Sequence, residues 1–520
     1  MSKQTRYVTT PIYYVNDRPH IGHVYTTTLC DVYARAMRDI GHDVFFLTGT
    51  DEHGVKVEQS ALDKGLEPQA LADLNSEEFR SIMGMFDLTN DAFIRTTDPE
   101  HTKQVQAFVS TLLERGDVYL GTFEGWYDKG QEEYHTETGA RDLDYKSPIS
   151  GKPLVRATEN NYYFKLSAYQ ERLEQLFDSN PEFVQPPSRR NEVLGRLREG
   201  LQDVPISRTN FTWGIPMPGD EEHVIYVWID ALFNYITALG MGDESSKWNK
   251  ERNKYWPASY HVIGKEILWF HSVIWPAVLI ALEFPLPKCI YAHSFWISEG
   301  RKMSKSLGNF IDLETIESYV EQYGMDAWRY YLTTQGPLGA TDADFAAEKF
   351  KDIYNAHLVN TVGNSTSRVT AMIGKYYDGA VPFESIDEVR IEIGDVDWPV
   401  RCEEAVSQWE EAMESFSIAK AIECGMGIIR DVDLFINDTA PFKLAKEETK
   451  QAELGAILYQ CLEALRIATV LLSPVLPSKM KAFHEAIGAD SCSANLLELA
   501  KWGHIQSGST VQKVALFPRV

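Results

Sequence analysis

The sequence predicts an α/β protein: a parallel sheet with covering helices, interrupted by an inserted domain and followed by a helical C-terminal region. Three observations carry that expectation. A strand-like run at 6–10, a helical pattern over 22–40 and an apolar strand at 43–48 have the spacing of a parallel crossover unit. The same order returns with a strand at Tyr260–Ile263, a helix from Glu266 and a strand at Cys289–Ile297. After Leu307, apolar residues recur at helical spacing as far as about Ile487.

Taken in order, Arg6 to Thr10 reads as a buried strand, and Pro11 and Pro19 occupy the turn that follows. The strand Asp43–Thr48 ends in Gly49-Thr50-Asp51-Glu52-His53-Gly54, and ligands favour the carboxyl ends of such strands. An insertion from Val118 to Glu221 has its own turn chemistry at Ser147-Pro148 and Ser150-Gly151-Lys152-Pro153. It also has strand-like aromatic pieces such as Tyr162-Tyr163-Phe164. Helices are expected over Asp326–Thr333 and Ala346–Tyr377, and a Gly/Pro/acidic loop over Asp378–Asp397. No internal repeat or low-complexity tract interrupts the pattern.

A chain of 520 residues exceeds one hydrophobic core and suggests several domains. The net charge of −25 opposes a general nucleic-acid binder, though basic groups confined to one path remain compatible with it. Among six cysteines the nearest two, Cys402 and Cys424, stand 22 apart (424 − 402), so no CxxC pair exists to hold zinc or run redox chemistry. Ile267–Ile280 reads as the most apolar stretch, interrupted by His271 and Ser272, and no run approaches a membrane span. Met1 to Arg6 lacks a signal-peptide core, so a cytoplasmic location is expected.

Two short strings carry the chemistry. His20-Ile21-Gly22-His23 opens the first helix, where unpaired N–H groups and partial positive charge favour phosphate. Gly22 lets a nucleotide approach without a side chain in the way. His20 and His23, three apart, fall on one side and can donate to a pentacovalent phosphorus. A pair of histidines capping a turn would look the same. Lys302-Met303-Ser304-Lys305-Ser306 lies on a loop bounded by Gly300 and Gly308, and its two ammonium groups can follow departing β- and γ-phosphates. A solvated basic turn is the plain alternative. Both strings in order, each at the end of a strand of one fold, point to ATP-driven adenylation.

These strings resemble the two signatures of class I aminoacyl-tRNA synthetases. Around them the chain is similar to the methionyl-tRNA synthetase family over nearly its whole length. The similarity is carried by Pro11-Ile12-Tyr13-Tyr14-Val15-Asn16, Thr48-Gly49-Thr50-Asp51-Glu52-His53-Gly54 and Ser207-Arg208-Thr209-Asn210-Phe211-Thr212-Trp213-Gly214-Ile215-Pro216. Tyr226-Val227-Trp228-Ile229-Asp230-Ala231 and Ile263-Gly264-Lys265-Glu266-Ile267-Leu268-Trp269-Phe270-His271 carry the rest. The resemblance implies a Rossmann-type catalytic domain in two halves, 1–117 and 222–299, split by a connective-peptide insertion at 118–221. A stem-contact region with the lysine loop at 300–345 and a helical anticodon-binding domain at 346–520 would follow. The activity implied is a ligase of protein biosynthesis. It forms methionyl-adenylate from L-methionine and ATP with Mg²⁺, then moves methionine to the 3′ end of tRNA(Met), initiator or elongator, releasing AMP and pyrophosphate.

The resemblance also implies roles for residues. His20, His23, Lys302 and Lys305 would be catalytic; Gly22, Gly264, Glu266, Ser304 and Lys305 would bind ATP. Asp51 would take the methionine ammonium, and Tyr14, Trp228, Tyr235 and His271, with Ile12, Leu232 and Ile267, would surround the thioether, which favours polarizable walls. Trp228, Leu232 and Tyr235 equally fit one apolar helical face and so plain core. The family often has proline where Leu232 stands and aspartate where Glu266 stands. Many members carry zinc on CxxC knuckles in the insertion. This chain reads Trp126-Tyr127-Asp128-Lys129-Gly130-Gln131 there, resembling the zinc-free, single-knuckle group, so no structural zinc is expected.

For the anticodon, Asn360, Asn364 and Arg368 are four apart, share a helix face and can read unstacked base edges. Phe442, where the family usually has tryptophan, is the stacking candidate. A solvated polar face is the ordinary reading of the first three. No appended oligonucleotide-binding module is seen, so a monomer is expected. Valyl, leucyl and isoleucyl relatives would need a larger editing insertion, and a cysteinyl relative a cysteine-ligated zinc. Shorter nucleotidylyltransferases share the histidine string but lack the helical domain.

Overall fold

A seven-stranded parallel sheet forms the centre of the molecule. Its order runs Tyr13–Tyr14, Asp43–Asp51, Thr5–Thr9, Tyr260–Gly264, Ile290–His293 and Val184–Gln185, with Ala92–Arg95 also pairing Asp43–Asp51. The computed structural model describes residues 3–16, 18–128, 133–135, 137–303, 309–382, 396–489 and 495–520. The first strand aligns Tyr7 with Phe45 on one side and Val8 with Tyr260 on the other, so residues about 250 apart in the chain meet. Buried on both faces, these strands read as apolar runs rather than alternating ones.

Three expectations about elements are corrected. The stretch 289–297 is two strands: Ile290–His293 belongs to the central sheet, whereas Trp296–Ser298 pairs with Arg301–Lys302 and Ala343–Phe345 in a second one. The helix from Glu266 is a 3₁₀ turn at Lys265–Ile267, a π-helical segment at Phe270–Ile274 and only then an α-helix, Trp275–Ala281. Against the expectation that no run approaches a membrane span, one helix among the described residues, at 448–472, is long and apolar enough to cross a membrane by composition alone. From Leu454 onward it is almost entirely buried, packed by the helices Asn364–Tyr376, Trp398–Glu414, Ile418–Thr439 and Pro477–Ala486. Its apolarity on all sides is that of a central bundle helix.

The insertion forms a four-stranded antiparallel sheet in the order Glu133–His135, Val118–Asp128, Val155–Phe164, Val204–Pro205. It also supplies the edge strand Val184–Gln185 of the central sheet, which its sequence did not suggest. At the knuckle, Trp126 pairs with His135 and Tyr127 with Tyr134 across the ladder. Trp126 Nε1 and the Tyr145 hydroxyl both donate to Glu137, at 2.8 and 2.9 Å, and the two rings lie 4.7 Å apart.

The helical region is fastened to the sheet by polar contacts. Arg6 on the first strand donates to Glu414 at 2.8 and 3.1 Å, and Tyr260 donates to the Glu414 carbonyl at 2.6 Å. Asp31, on the helix Ile21–Asp39, is buried between Arg35 (2.8 Å) and Arg329 (2.6 Å), and Arg329 reaches the carbonyls of Pro474 and Val475. Burial alone would raise the Asp31 carboxyl; the two guanidiniums hold it below the usual range.

Candidate active site

The strands Tyr13–Tyr14, Asp43–Asp51, Tyr260–Gly264 and Ile290–His293 all end at one cavity of about 1210 Å³. Thirteen residues singled out from the sequence line it: Ile12, Tyr14, His20, Gly22, His23, Asp51, Trp228, Leu232, Tyr235, Gly264, Glu266, Ile267 and His271. The two halves of the sheet meet there because the crossover places their strand ends side by side.

The histidine string caps its own helix. The Gly22 N–H donates to His20 Nδ1 at 3.0 Å, and the His20 N–H donates to His23 Nδ1 at 3.1 Å. The rings lie 4.0 Å apart. Burial, with the neighbouring His20 ring as a second cause, pushes His23 well below the ordinary histidine pKa, so it is neutral. With both Nδ1 atoms accepting, the ring proton of each neutral imidazole sits on Nε2. A Cβ at Gly22 would lie 2.9 Å from His20 Cε1, so glycine here also makes room for the imidazole.

Opposite, a Cβ at Gly264 would overlap the Glu266 carboxylate, which folds back over that glycine. Glu266 is solvent-accessible through the cavity, yet protein walls surround it closely enough that burial raises its carboxyl pKa. The aromatic end is built from the helix Val227–Thr237 and the π-helical segment. The Tyr235 hydroxyl donates to His271 Nε2 at 2.7 Å, and His271 Nδ1 donates to the Ile267 carbonyl at 3.0 Å. Burial lowers His271 to about 4, fixing it neutral. Tyr235 is core and cavity wall at once, as its 1% exposure shows, while Trp228 is only partly buried. Asp51, 7% exposed, lines the same end beside its register partner Tyr14.

Lys302 is exposed on a short strand and is not among the cavity's lining residues. Ser304 and Lys305 lie outside the described residues. The stems of that loop do reach the histidine string. Asn309 Nδ2 donates to the Lys302 carbonyl at 3.3 Å, Phe310 packs edge-on against His20 at 5.2 Å, and the Ile21 N–H donates to the Ile311 carbonyl at 3.1 Å.

Cavity residues missed from the sequence include Phe270, stacked on Trp228 at 4.3 Å, and Arg208, buried with its guanidinium 4.2 Å over Tyr226. His293, held at 2.8 Å by Thr26 and lowered to about 4 by burial, is a third. Phe270 and Arg208 stand within the strings that carry the family resemblance, but nothing in residue type or spacing marks which members of a string face a cavity.

Far from the cavity, Asn360 and Asn364 are exposed, and Arg368 is half-buried with its guanidinium 3.2 Å from Asn437 Oδ1. Asn360 lies in a π-helical segment, Tyr354–Gly363, and Asn364 begins the α-helix after it, so the expected four-residue α spacing holds only from Asn364 onward. Phe442 is 44% exposed just after Ala440, whose φ of +46° turns the chain. Among the described residues no cluster of histidine, cysteine and acid side chains can hold a metal ion.

The family model described as tRNA synthetases class I (M) matches residues 6–142 and 140–370. The chain belongs to this class I tRNA synthetase family, and its similar relatives are of the methionine type. The methionine–tRNA ligase of Halalkalibacterium halodurans is 42% identical over 533 aligned positions, covering 100% of this chain and 79% of the relative. That of Rickettsia felis is 41% identical and covers 99% of each. Mycobacterium tuberculosis methionyl-tRNA synthetase in complex with methionyl-adenylate matches with a TM-score of 0.89 and 34% identity, over 99% of this chain and 100% of that one.

Proposed function

We infer that this chain is a methionine–tRNA ligase: it activates L-methionine with ATP and transfers it to the 3′ end of its tRNA. The observation that carries the reading is the single cavity joining the histidine string, Gly264 and Glu266 to an aromatic-walled end that Asp51 also lines. Asp51 takes the ammonium, while Ile12, Tyr14, Trp228, Leu232, Tyr235, Ile267 and His271 enclose the thioether, supported by sulfur–ring contacts. The methionine carboxylate attacks the α-phosphorus. The Nε2–H groups of His20 and His23 donate to the charge that develops there, stabilisation that preorganised donors supply without reorganisation. Gly264 and Glu266 receive the ribose.

Lys302 and Lys305, with Ser304 between them, follow the leaving pyrophosphate from a loop whose stems rest beside His20. ATP enters as its Mg²⁺ complex. The terminal ribose hydroxyl of tRNA then attacks the mixed anhydride, and AMP leaves. No protein nucleophile is needed.

Residues 1–117 and 222–299 serve catalysis, 118–221 is the connective insertion of a zinc-free, single-knuckle type, 300–345 contacts the stem and 346–520 reads the anticodon through Asn360, Asn364, Arg368 and Phe442. The Trp126 and Tyr145 bonds to Glu137 brace the described strands beside the knuckle. The reading takes the protein as a cytoplasmic monomer; light scattering checks the mass. The decisive test is exchange of labelled pyrophosphate into ATP across the amino acids. Methionine is expected to drive it best; no exchange with methionine, or faster exchange with valine or leucine, overturns the assignment.

A further inference from the structure

Behind the aromatic wall, outside the cavity's lining, a carboxylate is enclosed by two imidazoles. Asp230 is fully buried, with Oδ2 2.6 Å from His53 Nδ1 and Oδ1 2.7 Å from His101 Nε2. The three residues come from three elements. Asp230 sits on the helix Val227–Thr237, which carries Trp228, Leu232 and Tyr235. His53 follows the strand Asp43–Asp51 by two residues and packs edge-on against Trp213 at 5.3 Å. His101 belongs to the helix Pro99–Arg115, and its Nδ1 lies 2.7 Å from the Thr237 hydroxyl, so it grips the pocket helix at both Asp230 and Thr237.

A buried carboxylate is tolerated only when it is fully partnered, and it then holds its partners in place. The strand end at His53 is rigid in its own right. Glu52, next to it, accepts both arms of Arg95 at 2.7 and 2.8 Å, and its carbonyl takes the Trp213 indole N–H at 2.7 Å. One side of the Asp230 bridge therefore leads within two residues to Asp51, and the other within two residues to Trp228.

We propose that Asp230 and His101 are positioning residues for the amino acid. They lock the helix bearing the thioether walls to the strand end bearing Asp51, and so set the length of side chain that fits between them. The proposal rests on the methionine reading above. A pocket with a fixed span rejects a substrate one methylene too long; a span free to vary does not.

The test is amino-acid-dependent pyrophosphate exchange by the full chain and the variants Asp230→Asn, His101→Ala and His101→Gln, with methionine and with ethionine, which is one methylene longer. Asp230→Asn and His101→Ala are expected to raise KM for methionine by at least about tenfold, as loss of a buried charge-assisted hydrogen bond does. KM for ATP should stay within about twofold, and the preference for methionine over ethionine should fall, because the site that receives the nucleotide makes no contact with this bridge. His101→Gln, whose amide can donate to Asp230 and accept from Thr237, should recover most of the methionine KM. Parallel changes in both KM values, an unchanged preference against ethionine, or equal behaviour of His101→Gln and His101→Ala would overturn the proposal. If Asp230→Asn does not fold, the two His101 variants decide. A wild-type chain without methionine-dependent exchange would instead overturn the functional reading beneath it.

Discussion

At the scale of residues, one arrangement of the histidine string caps its helix and orients the donors proposed for the α-phosphorus. Its Nδ1 atoms cap the helix, and that capping places the ring protons on Nε2. The capping reading of these histidines is thus compatible with the proposed chemical one. Gly22 is the residue on which the arrangement turns. In Gly22→Ala the new Cβ, 2.9 Å from His20 Cε1, forces the imidazole aside. Displacing His20 loses the helix cap, about 1 kcal/mol, and alanine's better helix propensity returns about as much, so the melting temperature should change little while the rate of methionine-dependent exchange falls about a hundredfold, the scale of losing one preorganised donor. Stopped-flow measurement of adenylate formation checks this. The type and spacing of these residues were readable directly. Phe270, Arg208 and the Asp230 bridge were not, because their roles depend on neighbours far away in sequence.

At the scale of elements, both segments assigned to recognition contain π-helical turns: Phe270–Ile274 around His271, and Tyr354–Gly363 around Asn360. Such turns cost backbone regularity and recur at functional sites. Their position could not be derived from an apolar pattern, which registers a helix but not its winding. In the second of these regions, Arg368→Ala removes a guanidinium that Asn437 orients. Aminoacylation should drop at least about tenfold, because a guanidinium paired with a base edge is worth about 1–3 kcal/mol. Pyrophosphate exchange should stay near wild type, since Arg368 lies outside the cavity. A third element tests the link between the strings. Asp312 caps the helix Leu313–Tyr323, accepting from the Thr315 N–H at 2.9 Å, and follows Ile311, whose carbonyl holds Ile21. Asp312→Ala should cost about 1 kcal/mol of stability in a urea titration. It should also slow exchange, since the segment beside His20 loses its anchor.

At the scale of the whole molecule, three buried histidines, His271, His293 and His484, are lowered to about 4 by burial. They lie in the aromatic wall, at a central strand end and in the helical region respectively. Unfolding returns each to an ordinary pKa near 6.5, so the unfolded chain binds more protons below that value. Stability contributed by their neutral forms is complete above about pH 6.5 and falls as the pH drops toward 4, on the order of 3 kcal/mol for each histidine. Denaturant titrations between pH 7 and 4.5 should show a steep loss of midpoint. A flat profile would mean that these rings are hydrated. A net charge of −25 is compatible with the proposed tRNA chemistry, because the basic groups assigned to it, such as Arg368, are few and placed.

The sequence by itself determined the parallel α/β framework, the inserted domain, the helical region and the residues of the two strings, because strand and helix periodicity and helix-end chemistry are local. It also supplied thirteen of the cavity's lining residues, among them Tyr14, Trp228, Tyr235, Asp51 and Glu266. The tertiary structure alone decided that the insertion lends an edge strand to the main sheet, that 289–297 divides between two sheets, and that Asp230 ties the pocket helix to the strand of Asp51. Each of these joins residues dozens to hundreds of positions apart. Hydrogen-bond pairing across such distances is chosen by packing, and no local pattern encodes it.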